Sequence, residues 1–162
     1  MEAVSYICDG SVYRVEAIVD YNFIEEDIAT VIETIDDMSI VEYRKNMEIA
    51  VDQGYACSVY KDGDRIGFFY NRSEGLKYIG CSIWLGRDAI GMLLGLKTIF
   101  EIGDYHKIVF MPHGDNWKYF KSIALGSSIR GYHIEGTPLV ILKDDVVQKG
   151  KRMFEYYGVI NG

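Results

Sequence analysis

Proline is nearly absent from this chain, with two in 162 residues, and histidine and cysteine number three each. Pro112 and Pro138 both fall at turns beside strand-like runs, so no Pro-rich linker divides the chain. Cys8, Cys57 and Cys81 are odd in number and lack C-x-x-C spacing. That supports neither a disulfide framework nor a zinc site. Each sits in an apolar run, as a small buried hydrophobe does, and the set reads as belonging to a reducing compartment. No apolar run approaches the ~18 residues of a membrane span, and the start, Met1-Glu-Ala-Val, has neither a basic n-region nor a long apolar segment. The expected location is cytoplasmic.

Basic residues are also in deficit. Lys and Arg total 17 against 24 Asp and Glu, a net charge of −7. A sequence-independent nucleic-acid binder needs a basic footprint, so that class is disfavoured. No metal-ligand cluster and no G-x-S-x-G pattern is present, and no cysteine lies in a basic context, so nucleophilic catalysis has little support. What is abundant is apolar residues, at 49%, and tyrosine, at thirteen. Both suit one domain spanning residues 1–162 with a substantial core and half-buried strands.

The pattern along the chain gives the elements. Two short runs between Val4 and Val19, around Asp9-Gly10, read as a hairpin. From about Asn22, Ile24, Ile28, Val31, Ile32 and Ile35 recur at helical spacing, with Glu25, Glu26 and Asp27 in the first turn. A second helix is expected over about Ile40 to Gln53, capped by Gly54. Tyr55–Tyr60 and Arg65–Tyr70 flank Asp62-Gly63, a strong hairpin signal, and residues 71–75 read as a break. Alternation in Phe68-Phe69-Tyr70 puts Phe68 and Tyr70 on one face and Phe69 on the other.

The run from Leu76 to Asn116 is the most informative. A strand, Lys77 to Leu85, meets the turn Gly86-Arg87-Asp88. A helix follows to about Ile102, then a strand, Lys107 to Met111. This is a βαβ crossover with a parallel pair. The helix N-terminus opens at a strand end, where backbone N–H groups form a natural anion site, with Asp88 as the N-cap. Further on, a helix is expected from about Trp117 to Leu125, short strands near Tyr132–Ile134 and Leu139–Leu142, and a tail helix from Asp144 to Tyr157 with Asp144 or Asp145 as N-cap. Tyr156-Tyr157 either docks that helix or marks a protein contact.

The expected fold is therefore α/β (α+β). A mixed, mostly antiparallel sheet carries one parallel βαβ crossover, with helices on both faces. This order resembles the GNAT superfamily of N-acetyltransferases over about Tyr13 to Leu142. In that family, a loop of pattern Q/R-x-x-G-x-G/A holds the pyrophosphate of acetyl-CoA. Here Arg87 matches the leading position, Ile90 and Met92 stand where small residues belong, and Gly86 and Gly91 are out of register. Asp88 would repel a phosphate at that point. The resemblance implies cofactor contacts from Leu85, Gly86, Arg87, Ala89, Ile90 and Gly91. A second signature resembles N-x-x-A-x-x-x-Y-x-x-x-G-F. Asn116 matches its Asn and implies a further cofactor contact. Ile123 stands at its Tyr, the general acid, and Tyr119, one turn earlier, is the substitute.

Acetyl transfer to an amine also needs a base. His113 is the candidate, with Glu74 as a second group reaching the substrate cleft; the plain alternative for His113 is a loop histidine bonded to backbone. His106 and His133 read as structural. A strand amide near Ile83 or Trp84 would hold the oxyanion, and Trp84 would line the pocket or anchor the core. Two functions stay open. One is an acyl-CoA-dependent N-acyltransferase with a degenerate pyrophosphate loop, acting on an amine of a small molecule or protein. The other is a GNAT-like protein without chemistry, acting as a binding or assembly protein. That second reading resembles proteins encoded by tailed bacteriophages in head assembly or as internal virion components.

Overall fold

The computed structural model describes residues 2–31, 40–84, 88–103, 105–110 and 138–162. The chain opens with a hairpin, β1 (Val4–Cys8) and β2 (Ser11–Ala17), followed by helices α1 (Ile24–Val31) and α2 (Ile40–Gln53). Then come β3 (Ala56–Lys61), β4 (Asp64–Glu74) and β5 (Lys77–Trp84). The crossover follows, with α3 (Ala89–Ile102) and β6 (Lys107–Phe110). Last are β7 (Leu139–Leu142), α4 (Lys143–Tyr157) and β8 (Ile160–Asn161). The eight described strands form one sheet in the order β7-β6-β5-β4-β3-β2-β1-β8. Only β5 and β6 pair in parallel; the other described pairs are antiparallel. This is the mixed, mostly antiparallel sheet expected from the sequence.

Local chemistry accounts for most joints. Asp9-Gly10 and Asp62-Gly63 both hold positive φ at both positions, the requirement of a type I′ hairpin turn whose twist matches its strands. Gly54 ends α2 at φ +81°, and the next N–H, of Tyr55, bonds back to Ala50. Three elements depart from expectation. Asn71–Glu74 extends β4 instead of breaking it, because these polar residues pair with β5 from Asn71↔Gly80 to Glu74↔Lys77. Leu142 occupies the N-cap of α4 without a side-chain bond, while Asp144 and Asp145 sit in the first turn, where they complement the helix dipole. The short edge strand β8 was not foreseen; it pairs Ile7↔Ile160 and Tyr6↔Asn161. The sequence-expected helix near 117–125 and strand near 132–134 lie outside the described residues.

Helices cover both faces. On one, α3 and α4 pack over a core including Tyr13, Val15, Cys57, Val59, Phe69, Leu93, Leu96 and Ile99. On the other, α1 and α2 cover Ala56, Phe68 and Tyr70 with Ile24, Ile28, Met47 and Ala50. The split of Phe68 and Tyr70 from Phe69 is the period-2 alternation of a strand buried on both sides. Burial raises the thiol pKa of Cys57 to about 12 and of Cys81 to about 11, so neither is an activated nucleophile. The tail helix docks through Val146, Gly150, Met153 and Phe154. Tyr156 and Tyr157 do not dock it: they stack edge-on against each other and stand 82% and 47% exposed.

Two contacts fix the helix layers. Asp27 of α1 is 1% exposed and accepts two bonds from the Arg65 guanidinium plus one from the Tyr70 hydroxyl at 2.6 Å. Arg65 also donates to Ser58 and lies 4.1 Å over the Phe23 ring. On the opposite face, Gly95 lets α3 settle onto β3 and β4. A Cβ there would fall inside the Phe69 ring's contact distance and 3.0 Å from Val59 Cγ2.

Two predictions follow from these packings. In an exposed helix Gly→Ala stabilises by about 1 kcal/mol. Gly95→Ala should reverse that sign and destabilise by about 1–3 kcal/mol through overpacking, read as a lowered urea midpoint. Arg65→Met leaves the Asp27 carboxylate buried without its cation and should cost about 3–5 kcal/mol in the same measurement.

Candidate functional site

The helix α3 begins where β5 ends, and two irregularities in the sheet shape that corner. Tyr70 pairs with Ser82 while Asn71 pairs with Gly80, which makes Cys81 an extra residue in β5. Such a bulge bends the strand and sharpens its twist. The parallel ladder to β6 covers Tyr78↔Ile108 and Ile79↔Val109; beyond it β5 continues to Trp84, paired among the described residues with β4 alone. A second bulge, between Val59 and Tyr60, makes Ile66 the extra residue of β4 and aims its side chain at the first turn of α3.

Asp88 is the N-cap of α3, as expected. Its backbone is extended, and Oδ1 accepts from the Gly91 N–H at 2.9 Å. The Met92 N–H makes the first helical bond, to the Asp88 carbonyl. Among the described residues the N–H groups of Ala89 and Ile90, the other two of the first turn, have no acceptor.

The sequence reading missed what holds Asp88 from the sheet side. Tyr13 and Lys61 are direct cross-strand partners on β2 and β3. Both point to the α3 face, and both reach the same oxygen: the Tyr13 hydroxyl donates to Oδ2 at 2.8 Å and Lys61 Nζ at 3.1 Å. Alternation places Tyr13 with Val15, and Lys61 with Cys57 and Val59. Only the β2–β3 register, which no local motif encodes, puts the two opposite each other.

The electrostatics follow from that geometry. Burial pushes the Asp88 carboxyl upward, but the Gly91 N–H, the Tyr13 hydroxyl and Lys61 together outweigh it and hold the group below the usual carboxylate range. Burial, then the bond to Asp88, pushes Tyr13 up to about 12. The bond to Asp88 raises Lys61 to about 12. Asp88 and Lys61 are therefore both charged at neutral pH. Their side chains are 21% and 38% exposed, so the pair itself contributes on the order of 1 kcal/mol or less. A small recess lies under this corner, lined by Val59, Ile66, Gly67, Phe69, Asp88, Gly91 and Met92.

The other expected site residues divide. Ala89, Ile90 and Gly91 occupy the first turn of α3. Ile90 is buried in the core, and a Cβ on Gly91 would lie 2.7 Å from Ile66 Cδ1, so Gly91 has a packing role in addition to its capped N–H. Ala89 and Gly91 are spaced as the two small residues of the family pattern are, one residue earlier than the alignment that starts at Arg87. Glu74 is not brought to this corner. It pairs with Lys77 at the opposite end of β5, ~23 Å along the strand from Trp84. There it is exposed and bonded to Arg72 at 2.8 Å. Leu85, Gly86, Arg87, His113, Asn116 and Tyr119 lie outside the described residues, as does the Trp84 side chain. Among the described residues no group of three or more His, Cys, Asp or Glu could hold a metal, and no helix is long and apolar enough to cross a membrane.

The Asp88 joint makes a pH prediction. A carboxylate whose folded pKa lies below its unfolded value contributes stability that is present above the unfolded pKa and lost as pH falls through the folded one. Asp88→Ala should cost about 1–2 kcal/mol near neutral pH in urea unfolding. The gap to wild type should narrow below about pH 4.

No protein-family model and no curated protein matches the sequence. Solved structures do. An uncharacterized protein from Bacillus halodurans superposes with a TM-score of 0.61, covering 95% of this chain and 97% of its own, at 10% identity. FdhC, a nucleotide-linked sugar GNAT in its apo form, gives 0.58 over 90% of this chain and 95% of its own, at 12% identity. The spermidine/spermine N-acetyltransferase SpeG from Vibrio cholerae gives 0.53 over 85% and 97%, at 11% identity. At these identities the likeness is one of architecture. With its single parallel crossover, mostly antiparallel sheet and helices on both faces, the chain has the GNAT fold.

Proposed function

We propose that this protein is an acyl-CoA-dependent N-acyltransferase, moving an acyl group, acetyl in the simplest case, from the thioester to an amine. One observation carries the reading. The N-terminus of α3 opens at the carboxyl end of the parallel strand β5, with the Ala89 and Ile90 N–H groups free of any acceptor among the described residues. Amides so placed suit the pyrophosphate of CoA. The acyl-pantetheine arm would run between β5 and β6, where the bulge at Cys81 bends β5 beyond its last described parallel pair. Leu85, Gly86, Arg87 and Asn116 are the further proposed cofactor contacts. His113 is the proposed base, Tyr119 the proposed acid to the departing thiolate, and the Ile83 or Trp84 amide the proposed oxyanion donor. Glu74 has no part in it. The solved GNAT acetyltransferases of like fold support the reading at the level of architecture.

A second reading has its own observation. Asp88 already satisfies the Gly91 N–H and draws in Lys61, so part of the anion site is filled from within. That favours a GNAT-fold protein acting by binding or assembly, the reading to which the likeness to tailed-phage proteins belongs. Its setting would be the host cytoplasm or the virion, and its ligand a protein.

Calorimetric titration with acetyl-CoA separates the two, with desulfo-CoA and ATP as controls. The acyltransferase reading expects a dissociation constant on the order of micromolar. Arg87→Glu should weaken it at least about tenfold, because the reversed charge would face the phosphates. No heat at millimolar ligand would overturn that reading in favour of the binding protein.

A further inference from the structure

Three groups converge on one carboxylate at the corner just described: the Gly91 N–H, the Tyr13 hydroxyl and the Lys61 ammonium. They come from three elements: α3, β2 and β3. The carboxylate is mostly buried, and the register Tyr13↔Lys61 fixes both sheet donors beneath it. Asp88 is thus not a cap that can swing aside. A helix amide, a phenol and a lysine are also what a phosphate would use, and all three are committed to a resident anion.

We propose that Asp88 sets the ligand selectivity of this site by acting as a built-in competitor of the pyrophosphate. The inference rests on the acyl-CoA reading of the α3 N-terminus. A pyrophosphate on the Ala89 and Ile90 amides lies next to a fixed negative charge. Lys61, the cation bonded to that charge, is divided between the two anions. The phosphate half of CoA therefore gains little here, and the pantetheine half carries the affinity. Neutralising Asp88 without deleting the cap reverses this. In Asn the amide oxygen still accepts from the Gly91 N–H, the amide NH2 in the place of Oδ2 donates to the Tyr13 hydroxyl, and Lys61 is released toward the phosphates.

The experiment titrates the full chain and its Asp88→Asn variant with two ligands, desulfo-CoA and pantetheine, the second lacking the pyrophosphate. Asp88→Ser, which also caps, guards against a folding defect particular to Asn, and circular dichroism checks each variant. The expected result is that Asp88→Asn binds desulfo-CoA about tenfold tighter than wild type while pantetheine binding is unchanged. Adding Lys61→Met to Asp88→Asn should remove the gain. If wild type binds desulfo-CoA and Asp88→Asn binds it equally or more weakly, the inference is overturned and the acyl-CoA reading stands. Binding by Asp88→Asn alone would sustain the inference and identify Asp88 as what closes the site in the natural protein. Equal gains for desulfo-CoA and pantetheine would overturn the inference by showing a general loosening. Silence from every variant would overturn the inference and the acyl-CoA reading together.

Discussion

The Asp88 carboxylate is the point at which the crossover is fastened to the rest of the sheet. Helix α3 is the most buried of the described helices, with Leu93, Leu94, Leu96 and Ile99 fully enclosed. Its height above the sheet is fixed at two places along its length. At the N-terminus, Asp88 ties the first turn to β2 through Tyr13 and to β3 through Lys61. One turn in, Gly91 and Gly95 leave room for Ile66 of β4 and for Phe69 and Val59. A side chain at Gly95 would meet the Phe69 ring and lift the helix, and a lifted helix would carry its cap away from Tyr13 and Lys61. Capping and packing here are one constraint.

The opposite face is anchored by different chemistry. Asp27, Arg65 and Tyr70 tie α1 to β4 with an ion pair whose carboxylate is fully buried and whose guanidinium is mostly so. Burying two charges costs more than a surface pair returns, so this contact specifies where α1 sits more than it adds stability. Arg65 precedes the bulge residue Ile66 on β4. Adjacent strand residues face opposite sides in any case; the bulge shifts the phase, so that Arg65 shares the α1 face with Phe68 and Ile66 the α3 face with Phe69. A single irregularity in one strand registers both helix layers.

How much of this could be read from the sequence depends on how local each feature is. Asp62-Gly63 and Asp9-Gly10 demand their turns by backbone chemistry alone, and both hairpins were legible. The crossover was legible because an apolar strand, a capped helix and a second strand leave few alternatives, although the helix expected to be amphipathic is buried nearly all round. Asn71–Glu74 misled because its polar residues look like a loop, although a strand paired on one side can carry them. Glu74 misled for the same reason: only the length of β4 shows that it lies at the wrong end of β5. Tyr13 and Lys61 were invisible as a pair because they meet through a register set 48 residues apart, and no motif marks that. Tyr156 and Tyr157 looked like docking residues, yet the helix turns Met153 and Phe154 inward instead.

Gly91 shows why a degenerate motif is hard to weigh. A glycine near the start of the crossover helix reads as the mark of a phosphate loop, where the backbone must meet the ligand closely. In this fold the same glycine also makes room for the tip of the Ile66 side chain, whatever binds above it. Its presence therefore says little about phosphate, and its N–H is in any case taken by Asp88. The diagnostic residue is the aspartate. No packing requirement asks for a charge at that position, since Asn or Ser would cap as well. On the acyl-CoA reading proposed above, a charge at that position, bonded to Lys61 of β3, bears on which anion the helix N-terminus accepts.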